Sequence, residues 1–411
     1  MSKYFLIDGN YFAMRCLGTL NMGDNVNNLI TEEEKSNFLS CMNLQLIKLW
    51  ESFSVHCDKL IFCADSFSWR KELPTYKPFY ISDEEVSNGD VILGYKKQRD
   101  KMKAESDIDY DMFYELYNKF LEDIKDDVTV VRSKGLEGDD IIELLVNKLV
   151  LSTEDIKSGN EVVVFCTDND LTQLSRESVI IFRNVRSKKA PFGELILSPK
   201  DLEKTKQKPL NQSLFEKDVT KMSGHLNDLI QINLIDDSNK ANRKEGQGIE
   251  VAEPNKVILT KCILGDKSDN ILPLLRWKSS TGTINYSCTE KHIKEAFENT
   301  FEPYNENSCK EYLQNPQYIK HLLENLILVT KINEKSNRKA NIDDVFEHFK
   351  YNLKLVFLYK KLLPPQYLEE FENKYPNGFF RNSCLFDVEK FKSKHTINIK
   401  DSTMSFLERS I

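Results

Sequence analysis

Five short runs of apolar residues punctuate the chain: YFLID, KLIFCAD, VTVVRS, EVVVFCTD and VIIFRN. Each is brief, rich in β-branched or aromatic residues, and bounded by polar ones, so each reads as a strand. Between them, apolar positions recur at helical spacing around Phe38–Phe53, Tyr110–Ile124 and Asp139–Leu151. Strands alternating with helices predict βαβ units, and so an α/β fold with a central, mainly parallel sheet flanked by helices. In such sheets ligands bind at the carboxyl ends of the strands. Asp8, Asp65 and Asp168 each fall at such an end.

Two stretches break the alternation. Residues 69–106 lack a clear period and mix aromatic with basic side chains, and residues 187–254 are polar and loop-like, dense in Asn, Lys, Gly and Gln. From Asn255 the pattern turns helical, through KVILTKCIL and on to Lys361. LLPPQYLEEF then breaks one helix and starts another, with proline suited to the first turn. The predicted organisation is an α/β domain over 1–186, a polar insertion over 187–254, a helical lobe over 255–394 and a loose tail over 395–411.

Composition narrows the class. The 411 residues are 40% hydrophobic and 29% charged, which excludes a disordered or fibrous chain. No apolar run approaches a membrane span, and MSKYFLIDGN does not read as a signal peptide. The nine cysteines form no C-x-x-C pair, so they are expected to be reduced thiols in a cytoplasmic protein. A net charge of −7 argues against a protein coated in positive charge. It leaves room for a local basic groove, and an acidic metal site itself makes the total negative.

The chemistry lies in the acids. Asp8 ends LID, Asp65 ends FCAD, Glu137, Asp139 and Asp140 open a helix in EGDD, Asp168 and Asp170 end TDND, and Asp266 and Asp269 lie in GDKSDN. Singly, these motifs are turns, helix-dipole partners or caps. Jointly, they place nine acids at strand ends and helix starts, where mutual repulsion raises pKa values and costs stability. A hard cation that prefers carboxylate oxygen, such as magnesium, resolves the conflict. Two such ions about 4 Å apart form the clamp used in phosphodiester hydrolysis. A second chemistry also fits part of the pattern. Asp168-Asn169-Asp170-Leu171-Thr172 matches the D-x-D-x-T of aspartate-nucleophile phosphatases, with Asp168 as nucleophile and Asp170 as general acid/base. That reading puts the motif on the fourth strand rather than near the chain start. It also leaves Asp8, Asp65 and EGDD without a role. A non-catalytic nucleic-acid-binding replication factor is a third reading, and it predicts weak magnesium binding.

Taken in order, LIDGN, CAD, EGDD, TDNDLTQL and GDKSDN resemble the 5′-nuclease family of flap endonucleases and 5′-3′ exonucleases. FSWRKE, GYKKQRDK, LTKCILGDKSDN and LLPPQYLEEF are most similar to its phage-type RNase H branch, and the resemblance runs from Asp8 to about Phe371. It implies a PIN-like nuclease domain, a helical arch over 69–106 and a C-terminal DNA-binding lobe with a helix-three-turn-helix. It implies one magnesium ion near Asp8, Asp65, Glu137, Asp139 and Asp168, and a second near Asp170, Asp266 and Asp269. Asp140 is then an outer or shared ligand, and manganese can substitute. It gives Asp168 a catalytic part and assigns Arg70 and Lys96 to the scissile phosphate. The aromatic-lysine step occurs twice here, so Lys77 and Lys97 stay open as the active-site lysine. Tyr95 and Arg99, in the same segment, are candidate nucleic-acid contacts, since cations track phosphates and aromatics stack on bases. Arg183, Arg186, Lys188 and Lys189 form a second basic cluster, open between duplex contact and solvated hairpin. The family's glycine pair after GDKSDN is absent, which argues against its potassium ion. The implied substrate is DNA or RNA–DNA hybrid with a 5′ end or flap, cut during primer removal in phage-type replication. A single-strand-binding protein and a sliding clamp are the implied partners of a monomer in the host-cell cytoplasm.

Overall fold

The structure is a computed structural model, and it describes residues 2–21, 27–54, 57–153, 156–157, 160–183, 194–198, 249–278, 285–298, 313, 315–336, 339–382 and 385–395. The chain divides into two compact units. The first comprises Met1–Ser68, Ser106–Ala252 and Leu358–Ile411; the second comprises Trp69–Glu105 and Glu253–Phe357. The basic segment therefore belongs with the helices after residue 253, and the chain returns to the first unit at Leu358. Among the described residues no helix is long and apolar enough to cross a membrane.

The first unit is built on β1 (Lys3–Asp8), β2 (Lys59–Cys63) and β3 (Thr129–Val131), then a separate small hairpin of β4 (Leu151–Thr153) and β5 (Ile156–Lys157), then β6 (Glu161–Cys166), β7 (Val179–Arg183), β8 (Glu194–Leu197) and β9 (Ile249–Val251). Seven of these make one sheet in the order β3-β2-β1-β6-β7-β8-β9. All neighbours in it are parallel except β7 and β8. The five predicted strands are β1, β2, β3, β6 and β7. β8 and β9 come from the polar stretch 187–254, where Leu195, Ile196 and Leu197 are buried. Three apolar residues in polar surroundings are too few to show a period.

Alternation along the strands separates two faces. Phe5, Ile7, Phe62, Val163, Phe165, Ile180 and Phe182 join one core with residues such as Phe12, Phe38, Trp50 and Phe120. Those come from the helices Gly9–Leu20, Glu32–Phe53 and Tyr110–Ile124. Each such fully buried ring contributes roughly 2–3 kcal/mol of hydrophobic stabilisation. Helix Gly138–Val150 packs on β1, β2 and β6. Covered strands of a parallel sheet read as near-continuous apolar runs, as these do. Helix Glu32–Phe53 begins ahead of its apolar pattern because Thr31 and Glu34 form a capping box. The returning chain is pinned by Phe391 in the core and by Lys394 on the Asp127 carboxylate at 2.7 Å. The seven described free cysteines are all buried.

The second unit holds helices Pro254–Leu264, Glu290–Glu298, Pro316–Thr330 and Ile342–Val356, together with the short helices of the basic segment, Asp83–Ser87 and Lys97–Ala104. Asn352 ties the helices to the loop between them, donating to the carbonyls of Cys262 and Leu272 at 2.9 and 2.8 Å. Where the resemblance implies a helix-three-turn-helix, an antiparallel hairpin of β10 (Arg276–Lys278) and β11 (Asn285–Ser287) follows the first helix.

Candidate functional site

β1 is central, and the chain steps from it to β2 on one side and to β6 on the other. The strand order reverses between β1 and β6, and a crevice at the carboxyl ends of the strands is expected there. Asp8 is the last residue of β1, and Asp168 lies two residues past β6. Asp8 sits beside Cys63 in register, so the two side chains share a face with each other. The Asp8 carboxylate caps helix Gly9–Leu20 by accepting from the Tyr11 N–H at 3.1 Å. Its capping function and its place at the switch point coexist.

Asp65 follows β2, and its carboxylate accepts from the backbone N–H of Gly138. Its own carbonyl accepts from Arg132 Nε at 2.8 Å, and the next N–H, of Ser66, donates to Leu136 O at 2.9 Å. The EGDD motif is thereby sewn to the end of β2. Asp140, buried, accepts from the Glu137 N–H at 3.2 Å, while Asp139 lies in the first turn of the helix. After β6, the Asp168 carboxylate accepts from the Asp170 N–H at 2.9 Å, and Asp170 is buried in a short 3₁₀ turn.

Asp8 and Asp65 approach one another at Gly138. A Cβ on Gly138 would stand 2.7 Å from Asp65 Oδ1 and 3.6 Å from Asp8 Oδ1. A side chain there would displace the Asp65 carboxylate, so glycine leaves room where two carboxylates meet a helix start. The Cys63 thiol is pushed well up by burial and then by Asp8, Asp65 and Asp139. The Cys166 thiol is pushed well up by burial and then by Asp8, Asp168 and Asp139. Cys63 on β2 and Cys166 on β6, the strands on either side of β1, thus share Asp8 and Asp139 as nearby charges. The oxygens gathered at this edge are those of hard carboxylate ligands, a donor set suited to magnesium, manganese or calcium. A side chain at 138 would fill the space between the Asp65 and Asp8 oxygens, which glycine leaves open.

The second unit holds Asp266, Asp269 and the predicted residues of the basic segment. Asp266 and Ile271 close the GDKSDN loop with two backbone hydrogen bonds of 2.8 Å. Gly265 takes φ +76, and any side chain on it would strike the Ile271 carbonyl. Burial alone would raise Asp266. Lys261 at 2.6 Å and the Ser268 N–H and hydroxyl at 2.7 Å override it and hold the carboxyl down at about 2. Asp269 pairs with Arg99 at 2.8 Å, and its carbonyl accepts from the Lys96 N–H at 2.9 Å. Asn270 donates to the carbonyls of Ile92 and Gly94. The basic segment is therefore knitted to this loop.

Within that segment Arg70 is buried, its guanidinium 4.9 Å from the Trp69 ring centroid. Lys96, at left-handed φ +57, lies over the buried Tyr95 ring at 4.8 Å. Lys77 pairs with Asp83, and Lys97 is exposed. In the first unit Arg183 donates to Asn169 Oδ1 at 3.0 Å. Arg186, Lys188 and Lys189 lie outside the described residues. Sequence reasoning passed over Gly138, Arg132 and Tyr117, which are spread along the chain and matter only because the sheet edge gathers them. It also passed over His348 and Tyr351, on which Tyr76 stacks at 4.9 and 5.4 Å.

Fold and site together define an α/β protein with carboxylates at the strand ends beside its topological switch point. No family model and no curated protein matches the chain. Solved structures do. The chain is similar to bacteriophage T5 D15 protein co-crystallised with metal ions, at 17% identity and TM-score 0.41 over 99% of each chain. It is similar to bacteriophage T5 D15 flap endonuclease in a pseudo-enzyme–product complex with DNA and metal ions, at 16% identity and TM-score 0.41 over 99% of each chain. It is also similar to T5 5′-exonuclease with zinc bound, at 17% identity and TM-score 0.41 over 100% of each chain. Residue roles in the present chain rest on its own motifs and geometry.

Proposed function

We propose that this chain is a magnesium-dependent 5′ nuclease. It hydrolyses phosphodiesters near the 5′ ends or flap junctions of DNA and RNA–DNA duplexes. The observation that carries the reading is the approach of Asp8 and Asp65 to Gly138 at the carboxyl ends of β1 and β2, with Asp139 in the adjoining helix turn and Asp168 two residues past β6. An aspartate-nucleophile phosphatase needs Asp168 and Asp170 and leaves Asp8, Asp65 and Asp139 unused.

The carboxylates would hold a divalent ion, which when bound supplies charge neutralisation at the phosphate and acidifies water. The chain supplies orientation. Tyr11 N–H fixes Asp8, Gly138 N–H fixes Asp65, and Asp170 N–H fixes Asp168. Ligands held by such supporting bonds need little rearrangement on binding. In this proposal Glu137 and Asp140 support the same ion. The resemblance to the 5′-nuclease family implies a second ion near Asp170, Asp266 and Asp269 and gives Arg70 and Lys96 to the scissile phosphate. Primer removal in phage-type replication, with a single-strand-binding protein and a clamp as partners, is the biological setting that the motif resemblance supports.

The test is a duplex with a 5′ flap, labelled at its 5′ end, incubated with pure protein in magnesium or in EDTA. Short labelled products in magnesium alone are expected, and their lengths separate end trimming from junction cutting. An intact substrate in both lanes overturns the proposal.

A further inference from the structure

Beneath the carboxylate edge lies a polar group that the proposed chemistry does not use. Tyr117, on helix Tyr110–Ile124, is only 2% exposed, and its hydroxyl has no hydrogen-bond partner among the described residues. A buried hydroxyl without a partner costs roughly 1–3 kcal/mol, so its retention calls for a reason. Packing the aromatic ring needs no oxygen: Tyr117 stacks on Phe113 and tilts against Phe62, and phenylalanine would fill the same space.

The position of the oxygen supplies the reason. It crowds the point where a side chain on Gly9, the residue after Asp8, would stand, and so does the carbonyl of Cys63. That same carbonyl lies 3.5 Å from where a Cβ on Gly138 would be, beside Asp65 Oδ1 and Asp8 Oδ1. Burial pushes the phenol pKa well up, and Asp65 and then Asp8 add to it. The sequence neighbour of Tyr117 points to the same place by another route. Asn118 accepts from Arg132 Nη1 at 2.8 Å, and Arg132 Nε holds the Asp65 carbonyl. One helix thus reaches the site twice.

We infer that Tyr117 is a positioning residue of the carboxylate site, its hydroxyl the proton donor that steadies the Asp8–Asp65 pair for a divalent ion. This rests on the metal-site part of the proposed function. Supporting donors of this kind change metal affinity by about 10- to 100-fold when removed.

The experiment is Tyr117→Phe, read by calorimetric titration of Mn²⁺ without nucleic acid and by thermal unfolding in EDTA. Expected are an unfolding temperature in EDTA no lower than that of the parent protein and an Mn²⁺ affinity weaker by about tenfold or more. The metal concentration giving half-maximal cleavage should rise by the same factor. Unchanged Mn²⁺ affinity overturns the inference. So does a weaker affinity accompanied by a lower unfolding temperature in EDTA, which marks a structural role. If the parent binds Mn²⁺ and loses affinity in Tyr117→Phe but cuts no nucleic acid, the nuclease reading falls while the positioning role stands. If the parent binds no Mn²⁺, both fall.

Discussion

The carboxylate of Asp65, just past the second strand, accepts a hydrogen bond from the backbone N–H of Gly138, the first residue of a helix more than seventy positions later. That contact joins two motifs that have no sequence proximity. It also explains why the helix starts with glycine. Gly138→Ala would place a methyl group 2.7 Å from Asp65 Oδ1, closer than real Cβ contacts, so the carboxylate must move. The expected result is loss of Mn²⁺ affinity and of metal-dependent cleavage by tenfold or more, with folding stability changed by no more than ~1 kcal/mol. Titration calorimetry and denaturant unfolding check the two halves. Retained metal affinity would mean that Asp65 is not a ligand.

Asp168→Asn removes a charge from the edge while keeping the shape and an oxygen acceptor for the Asp170 N–H. Cleavage of a 5′-flap duplex is expected to be abolished and binding of the same duplex to persist. A gel-based cleavage assay beside an anisotropy titration measures both. Full activity in this variant would remove Asp168 from the catalytic set.

Arg99 and Asp269 form a partly buried ion pair at 2.8 Å, with the carboxylate the more buried partner. Arg99→Ala strips a buried carboxylate of its cation and is expected to destabilise the protein by about 1–3 kcal/mol. Arg99→Lys should recover part of the loss. Chemical denaturation in low and high salt tests this. An unaffected midpoint for Arg99→Ala would show that the pair contributes nothing.

Glu372 joins the returning C-terminal helix to Lys148, on the helix that carries EGDD, and to Lys360 at 2.9 Å. Burial acts to raise its carboxyl, but the two lysines outweigh it and hold the pKa below the usual glutamate value. A carboxyl lowered on folding stabilises fully above its unfolded pKa, near 4.3–4.5, and that contribution is lost as pH falls below it. The parent should therefore exceed Glu372→Gln in stability by about 1 kcal/mol at pH 6. The gap should narrow between pH 5 and pH 3. Unfolding midpoints across that range provide the check, and a gap that stays constant would refute the linkage.

The sequence by itself determined the layered α/β class, because buried parallel strands must be continuously apolar and their covering helices must show a 3.6-residue period. It also marked the acids, since carboxylates at strand ends stand out against apolar runs. The helix around Tyr110–Ile124 was legible, its hydrophobic face being uninterrupted. Less was legible where signals were short or non-local. β8 and β9 hide in a polar stretch because strands of four and three residues are too brief for periodicity. The grouping of residues 69–105 with residues 253–357 came from contacts such as Asn270 to Gly94, which no local pattern encodes. Tertiary structure alone decided that Gly138 is a cradle between Asp8 and Asp65, and that the Tyr117 hydroxyl lies beneath them. The physical reason is that propensity and period act over a few neighbouring residues, whereas these relationships arise only when sheet order brings distant strand ends within a few ångströms of one another.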